Sequence, residues 1–281
     1  MQGPYGRVMN LEVAYIPEFK AAITGYKGYI GKSVCDFLVE NNFKYEVVRL
    51  DNAKDVDVIL HLAAKVDDNI ECYKNNIALD LDVFEYCRLN NTHLLLVSGN
   101  NVYPFASDCN VSTVTSVNDF YSASKVHSEQ LAGSIYGIDT TVLRVGDVFG
   151  YKQKHGNMFR AIENSINKSE SLKLYGRGLK VRSYIYLKDL INIFNFFIMD
   201  SNYKKFNKSV FNISYAEPSS VYEIINYVAQ HASLDISNIE MDISKEKVDF
   251  RTMEFSEIVG FKYEYDLWTA LDDYIQLVKQ K

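Results

Sequence analysis

Tyr121 and Lys125 stand four apart in Asp119-Phe120-Tyr121-Ser122-Ala123-Ser124-Lys125, and on a helix that spacing puts both side chains on one face. A lysine ammonium beside a phenol stabilises the phenolate, so the pair could give and take a proton at neutral pH. An isolated pair of this kind is more often an exposed aromatic beside a solvated lysine. Context changes the reading, because the pair follows an apolar run ending in Val97-Ser98-Gly99 and, far upstream, a glycine cluster. That cluster is Gly25-Tyr26-Lys27-Gly28-Tyr29-Ile30-Gly31, with glycines three apart directly after the apolar run Ala21 to Thr24. The first glycine permits a tight turn, and the later ones let backbone, pyrophosphate and strand approach closely. The following helix offers its unpaired N–H groups to phosphates. Asp51 closes the next strand-like run, where a carboxylate can accept the hydroxyls of an adenosine ribose and repels a 2′-phosphate. Together these residues predict a dinucleotide site that prefers NAD(H). NADP(H) is possible if Arg49 turns inward.

Positioning such groups takes a parallel sheet with crossover helices, and the chain has that pattern. Candidate strands are Ala21 to Thr24, Tyr45 to Leu50, Val58 to Leu62, His93 to Val97 and Thr140 to Arg144, separated by helical stretches beginning near Tyr29, Asn69 and Tyr121. The fold class expected is α/β, a Rossmann-type doubly wound parallel sheet with a smaller mixed C-terminal substrate lobe. Residues 20–150 form the dinucleotide-binding domain in this reading, and 151–281 a substrate lobe that partly returns to the sheet. Residues 1–19 are set aside as an N-terminal arm or expression remnant, since Met9 could also be a start. Leu172 to Tyr175, Arg182 to Leu187 and Val210 to Ile213 look like further strands.

Composition excludes several classes of function. With 281 residues, 47% hydrophobic and 23% charged, the chain can bury a full core. The net charge, 30 minus 36 or −6, recruits neither nucleic acid nor an anionic membrane. Leu190 to Met199, the most apolar stretch, is too short to span a bilayer. Cys35, Cys72, Cys87 and Cys109 fit neither a disulfide framework nor a zinc site. They read as reduced thiols of a cytoplasmic protein, and no metal is expected.

With these features assembled, the chain resembles the extended short-chain dehydrogenase/reductase family of nucleotide-sugar epimerases, dehydratases and 4-ketoreductases. The landmarks are Thr24 to Gly31, Leu50-Asp51-Asn52, His61-Leu62-Ala63-Ala64, Asn75-Asn76-Ile77, Val102-Tyr103-Pro104, Tyr121 with Lys125, Leu143-Arg144 and Arg182 to Asp189. The resemblance implies that Tyr121 is the acid/base at a sugar hydroxyl or ketone, with Lys125 favouring the phenolate and holding the nicotinamide ribose. The turn residues Gly25, Tyr26, Gly28, Tyr29, Ile30 and Gly31 would cradle the pyrophosphate. Asp51 and Asn52 would meet the adenosine, and Leu62, Ala63, Ala64 and Asn76 would line the cofactor. Asn100, Tyr121, Asp147, Arg177 and Arg182 would hold a nucleotide-sugar substrate, with the Arg182 guanidinium on its diphosphate. A homodimer built from paired helices is also implied.

Three departures from the pattern matter. Gly99 stands where the family has a Ser or Thr that hydrogen-bonds the reacting oxygen, leaving Ser98 as the nearest hydroxyl. Asn100-Asn101 replaces the Asp-Glu pair that 4,6-dehydratases need, and amides cannot supply that acid/base chemistry. Between Asp51 and Asp57 there is no room for the strand and helix usual there, so the sheet should lose an edge strand. The reading expected first is reduction of a 4-keto nucleotide sugar. The alternatives are 4-epimerisation and a non-catalytic nucleotide-sugar binder.

Overall fold

The computed structural model describes residues 11–153, 158–168, 170, 172–199, 201–234, 239–245 and 249–280. The chain divides into two compact units. One takes the chain up to Pro104 with Val114–Arg144 and Ile191–Phe211, and the other takes Phe105–Thr113, Val145–Leu190 and everything from Asn212.

The first unit is built on β1 (Glu12–Ile16), β2 (Ala21–Thr24), α1 (Tyr29–Glu40), β3 (Glu46–Arg49), β4 (Val58–His61), α2 (Ile70–Asn90), β5 (His93–Gly99), α3 (Phe120–Gln130) and β6 (Thr140–Val145). The strands predicted from Ala21 onward fall where the apolar runs stand. Their central members are buried throughout, as parallel strands covered on both faces must be. One core cluster gathers Val13, Ala22, Leu50, Ile59, Val83, Phe84, Leu94, Leu96, Ala132 and Val142. Through it α2 packs on the sheet, its N-terminus capped by Asn69, whose side chain accepts from Cys72 N.

The seven-stranded sheet has the order β11-β6-β5-β4-β2-β1-β3, with β11 at Val210–Ile213. β2, β4 and β5 run parallel, whereas β1 is antiparallel to both of its neighbours. This corrects the treatment of residues 1–19 as an arm, because Glu12–Ile16 is an inner strand. A short 3-10 turn, Pro17–Phe19, folds it back onto β2, and Val13, Ala14 and Ile16 are fully buried. Burial of that kind contributes about 1.5–3 kcal/mol for each large aliphatic side chain, which no loose arm could forgo. The region after Asp51 is as short as its spacing predicts, with only the 3-10 turn Leu50–Asn52 before β4. The sheet nevertheless does not narrow, because β1 has entered it between β2 and β3.

The second unit contains β7 (Asp147–Phe149), α4 (Met158–Lys168), β8 (Leu172–Tyr175), β9 (Val181–Arg182), β10 (Tyr184–Tyr186), the start of α5 (Leu187–Met199), β12 (Ser219–Ser220), α6 (Val221–Ala232), β13 (Ile239–Asp242), β14 (Phe250–Arg251) and α7 (Leu267–Lys279). Its strands make small sheets, β10-β7, β12-β9-β14 and β13-β8. The predicted strand Arg182 to Leu187 is in fact two strands and a helix start. An aromatic cluster forms the core, with Phe149 stacked on Phe159 and Tyr186 at 4.8 and 5.1 Å between ring centroids. Among the described residues no helix is long and apolar enough to cross a membrane, and the four cysteines are free and buried.

Candidate active site

α3 carries the Tyr/Lys pair, and its start is fixed two residues before Tyr121. Asp119 accepts a hydrogen bond from Ser122 N at 2.6 Å, and Ser122 Oγ accepts from Asp119 N at 2.9 Å, closing a reciprocal cap. One turn further on, Lys125 is buried. Its Nζ donates to Val97 O at 2.9 Å and lies 5.9 Å from the centre of the Tyr121 ring. The end of β5 and the helical spacing therefore hold the ammonium against Tyr121.

Two buried networks fix the rest of the helix. In the first, Thr24 Oγ1 accepts from Leu62 N and Ala63 N, both at 3.1 Å, and so gives its own proton to His61 Nδ1 at 2.7 Å. His61 must then carry hydrogen on Nε2, which donates to Asp80 at 2.8 Å, and the other Asp80 oxygen accepts from Ser128 of α3. His61, Asp80 and Ser128 are almost wholly buried, so this chain ties β2, β4, α2 and α3 together without water. In the second network, Arg144 of β6 forms a buried ion pair with Glu129 of α3 at 2.7 Å and donates to Tyr103 OH at 2.9 Å.

The bracing role of Thr24, and any role for Asp80, Ser124, Ser128 and Glu129, has no motif in the sequence. The available signal was a polar side chain at a position whose helical neighbours point into the core. Asn76, expected to line the cofactor, uses its amide as a brace. Its Oδ1 accepts from Lys65 N at 2.8 Å, and its Nδ2 donates to Lys65 O at 3.0 Å and Ser124 Oγ at 3.2 Å. It thus fixes the loop that follows Leu62, Ala63 and Ala64. Ser98 Oγ and Asn101 Nδ2 are buried without a hydrogen-bond partner, and Asn100 is buried beside them in the turn after β5. Orphaned polar atoms at the mouth of a site are groups that a ligand could satisfy.

In the glycine turn, Gly25 has φ +69°, and a Cβ there would lie 2.7 Å from Ala63 N. A Cβ at Gly31 would run into the Gly25 carbonyl, whereas at Gly28 it would meet only that carbonyl oxygen, at 3.1 Å. Tyr29, Ile30 and Gly31 then open α1, whose N-terminus no side chain caps. Asp51 stands in the turn after β3 with Asn52, two strands away from these glycines. Its carboxylate is held at both oxygens by Arg49, at 3.0 and 2.5 Å. Arg49 is therefore engaged by Asp51 rather than directed at a phosphate.

The second unit holds the remaining candidates. Arg182 pairs with Asp249, donates to Val181 O at 2.8 Å, and has Asp147 4.0 Å away. Arg177 is exposed in the turn between β8 and β9, where Gly176 and Gly178 both adopt φ +72°. The structure thus brings Asp147 and Arg182 together and leaves Arg177 in a separate turn.

A strand, a glycine turn and an uncapped helix, followed by a buried lysine over a tyrosine, define a Rossmann-type dinucleotide enzyme of the short-chain dehydrogenase kind. The profile of the NAD dependent epimerase/dehydratase family matches residues 52–214, more than half of the chain. The chain belongs to that family, and its cofactor is NAD. A putative UDP-glucose 4-epimerase of Methanocaldococcus jannaschii is 23% identical over 317 aligned residues, covering 92% of this chain and 97% of that protein. The crystal structure of UDP-N-acetylglucosamine 4-epimerase from Bacillus cereus superposes with a TM-score of 0.75 at 20% identity, over 92% of this chain and 95% of that one. For dTDP-glucose 4,6-dehydratase from Bacillus anthracis in complex with NAD the values are 0.76, 18%, 92% and 96%. The residues present fit the cofactor. The glycine turn admits backbone close to a pyrophosphate, the α1 N-terminus supplies N–H groups for it, and Lys125, with one donation made to Val97 O, keeps further N–H donors for a ribose hydroxyl.

Proposed function

We propose that this protein transfers hydride at C4 of a nucleotide-activated sugar, with Tyr121 moving the proton at the C4 oxygen. The observation that carries the reading is the buried Lys125, pinned to Val97 O and facing the Tyr121 ring on a helix that two internal networks immobilise. Bound NAD(H) supplies the hydride chemistry. Tyr121 gives its phenolic proton to the C4 oxygen of a 4-keto sugar during reduction and takes it back from the hydroxyl during oxidation. Lys125 stabilises the phenolate between those events and holds the nicotinamide ribose. Ser98 precedes Gly99 in β5, and its buried, unpartnered Oγ supports a part in holding a ligand. Arg182 binds the diphosphate by exchanging its carboxylate partner Asp249 for phosphate oxygens, with Arg177 and Asp147 as further substrate contacts.

Reduction of a 4-keto nucleotide sugar is the net reaction we favour. Asn100-Asn101 removes the carboxylates that dehydration requires. A second reading, 4-epimerisation, is favoured by a relative named as a putative 4-epimerase that matches along almost its whole length. The test is to incubate the purified protein with 4-keto nucleotide sugars and NADH. Loss of absorbance at the nicotinamide band with formation of the 4-hydroxy sugar supports the reductase. Interconversion of 4-epimers with no net cofactor turnover, on a protein that retains NAD through gel filtration, supports the epimerase. A protein that does neither, yet binds the nucleotide sugar, is a binder. We further propose a homodimer through α2 and α3. Much of the apolar surface of these helices serves the chain's own core, leaving exposed groups such as Leu89 of α2 and, in the π-helical turn Leu131–Ile135 that follows α3, Ile135 for the contact. Sedimentation as a monomer at micromolar concentration would remove that proposal.

A further inference from the structure

The strand that enters the sheet changes which acid stands beside the glycine turn. β1 pairs with β2 in the register Ala14↔Ile23, Tyr15↔Ala22, Ile16↔Ala21, so two residues further along the same ladder Glu12 comes level with Gly25. On its other side Glu12 is paired with Arg49, the last residue of β3. Because β1 is antiparallel to both neighbours, its first residue lies at the strand ends where the turn begins. Asp51 follows Arg49 on the far side of β1, and Leu50 N donates to Leu11 O at 2.8 Å, so the β1 backbone separates Asp51 from the glycines. Neighbouring strands stand about 4.8 Å apart, which puts the tip carrying Asp51 about 10 Å from the β2 strand line rather than about 5 Å.

The contacts of the two acids differ accordingly. Asp51 has both oxygens on the Arg49 guanidinium. Glu12 reaches into the glycine turn itself, where its Oε2 accepts from Lys27 Nζ at 2.8 Å and from Tyr26 OH at 3.4 Å. Lys27 also holds the Glu12 carboxyl below its usual range, chiefly through that hydrogen bond, so the group is an anion across the neutral range. Both side chains are exposed and therefore within reach of a ligand.

We infer that Glu12, carried into the site by the intruding strand, is the carboxylate that accepts the adenosine ribose hydroxyls of NAD and sets the preference for NAD over NADP, in place of Asp51. The inference rests on NAD use but not on the reaction at C4. A carboxylate beside the turn accepts from a vicinal diol and repels a 2′-phosphate. It also occupies Lys27 and Tyr26, which would otherwise be a cation and a donor free to bind that phosphate. Removing Glu12 therefore both loses an acceptor and releases a phosphate site.

The experiment is isothermal titration of NAD+ and NADP+ into the wild-type protein and into Glu12→Ala, Glu12→Gln and Asp51→Ala, each checked for an unchanged thermal transition. Both Glu12 variants should weaken NAD+ by about tenfold. Glu12→Ala should also tighten NADP+, moving the NAD+/NADP+ ratio by about a hundredfold in total, while Asp51→Ala leaves the ratio within about threefold. Adding Lys27→Ala to Glu12→Ala should abolish the gain for NADP+. A ratio that follows Asp51 and ignores Glu12 overturns the inference, as does a ratio that neither substitution moves. Wild-type protein that binds neither dinucleotide overturns it together with the NAD reading, whereas NAD binding without any reaction on sugars would sink the proposed activity and leave Glu12 in place.

Discussion

On α3 the reacting groups are held by what is buried. Lys125 donates into β5, and Ser128 and Glu129 enter two networks closed to solvent. At the glycine turn, Glu12, Lys27, Arg49 and Asp51 are half in water, and a change of strand order rather than a change of packing decides which of them meets a ligand. A buried anchor makes a position expensive to alter, because any loss strands a charge or a donor in low dielectric. An exposed acid on a strand end can be exchanged for another at little cost in stability, so it is the easier place for a fold to revise its ligand selectivity.

Four measurements press on that contrast. The largest effect should come from Tyr121→Phe, which is expected to lower kcat by about 10² to 10⁴ with NAD affinity nearly intact. Lys125→Ala should lose both, and a Tyr121→Phe enzyme that keeps the wild-type rate would move the chemistry to another donor. Next, Arg144→Met leaves Glu129 buried and unpaired and should cost about 3–5 kcal/mol in denaturant unfolding. Breaking the exposed Arg49–Asp51 pair should cost less than about 1 kcal/mol. Equal losses at the two sites would erase the distinction.

The third measurement is the acid limb of stability. Burial pushes the His93 imidazole down from 6.5 to about 4, with Nε2 3.0 Å from Thr141 Oγ1. The unfolded chain therefore binds a proton that the folded one refuses between those values. Stability is full above pH 6.5 and falls as the pH drops toward 4, by about 3 kcal/mol from this group. His93→Leu should flatten that limb in unfolding measured from pH 7 to 4, and an unaltered slope would refute the assignment. The smallest effects are expected at the end of β5. Gly99 has φ −143° and ψ 168°, extended backbone that a serine adopts freely. Gly99→Ser should therefore fold normally and leave turnover unchanged or raised, and Ser98→Ala should matter far less than Tyr121→Phe. Loss of activity in Gly99→Ser would show that the missing side chain makes room for something the site needs.

How much of this was legible in the residues follows from how local each signal is. The turn at Gly25 to Gly31, the strands between Ala21 and Arg144 and the spacing of Tyr121 and Lys125 are short-range patterns, and these appear where expected, whereas Arg182 to Leu187 breaks into two strands and a helix start. The run Val13-Ala14-Tyr15-Ile16 before Pro17 is as good a strand signal as several others, but nothing in it says that it will lie between β2 and β3. β3 meets β1 through pairs more than thirty residues apart, such as Glu12 with Arg49, so the neighbour that Asp51 lost could not be read from the Asp51 segment. Asp80 and Ser128 escaped for a similar reason, since a buried network has no fixed spacing. Arg182 stands in a motif, while its partner Asp249 lies just before β14, far along the chain, and has no motif of its own.

The hairpin made by β1 and β2 also bears on the order in which the sheet assembles. Its pairs join residues close in sequence, Ile16 with Ala21 and Ala14 with Ile23, whereas β2 finds β4 only through pairs such as Ala21 with Val58. Closing a short hairpin takes about 1–10 μs, and a parallel pairing must first pay the entropy of a much longer loop. The β1–β2 pairing is therefore the one in this sheet with the least chain to close, and it needs neither β3 nor β4 to form its contacts. The edge that β3 would otherwise take is occupied by the nearest strand in sequence, so the strand order puts the most local pairing of the sheet between two strands that would otherwise be neighbours.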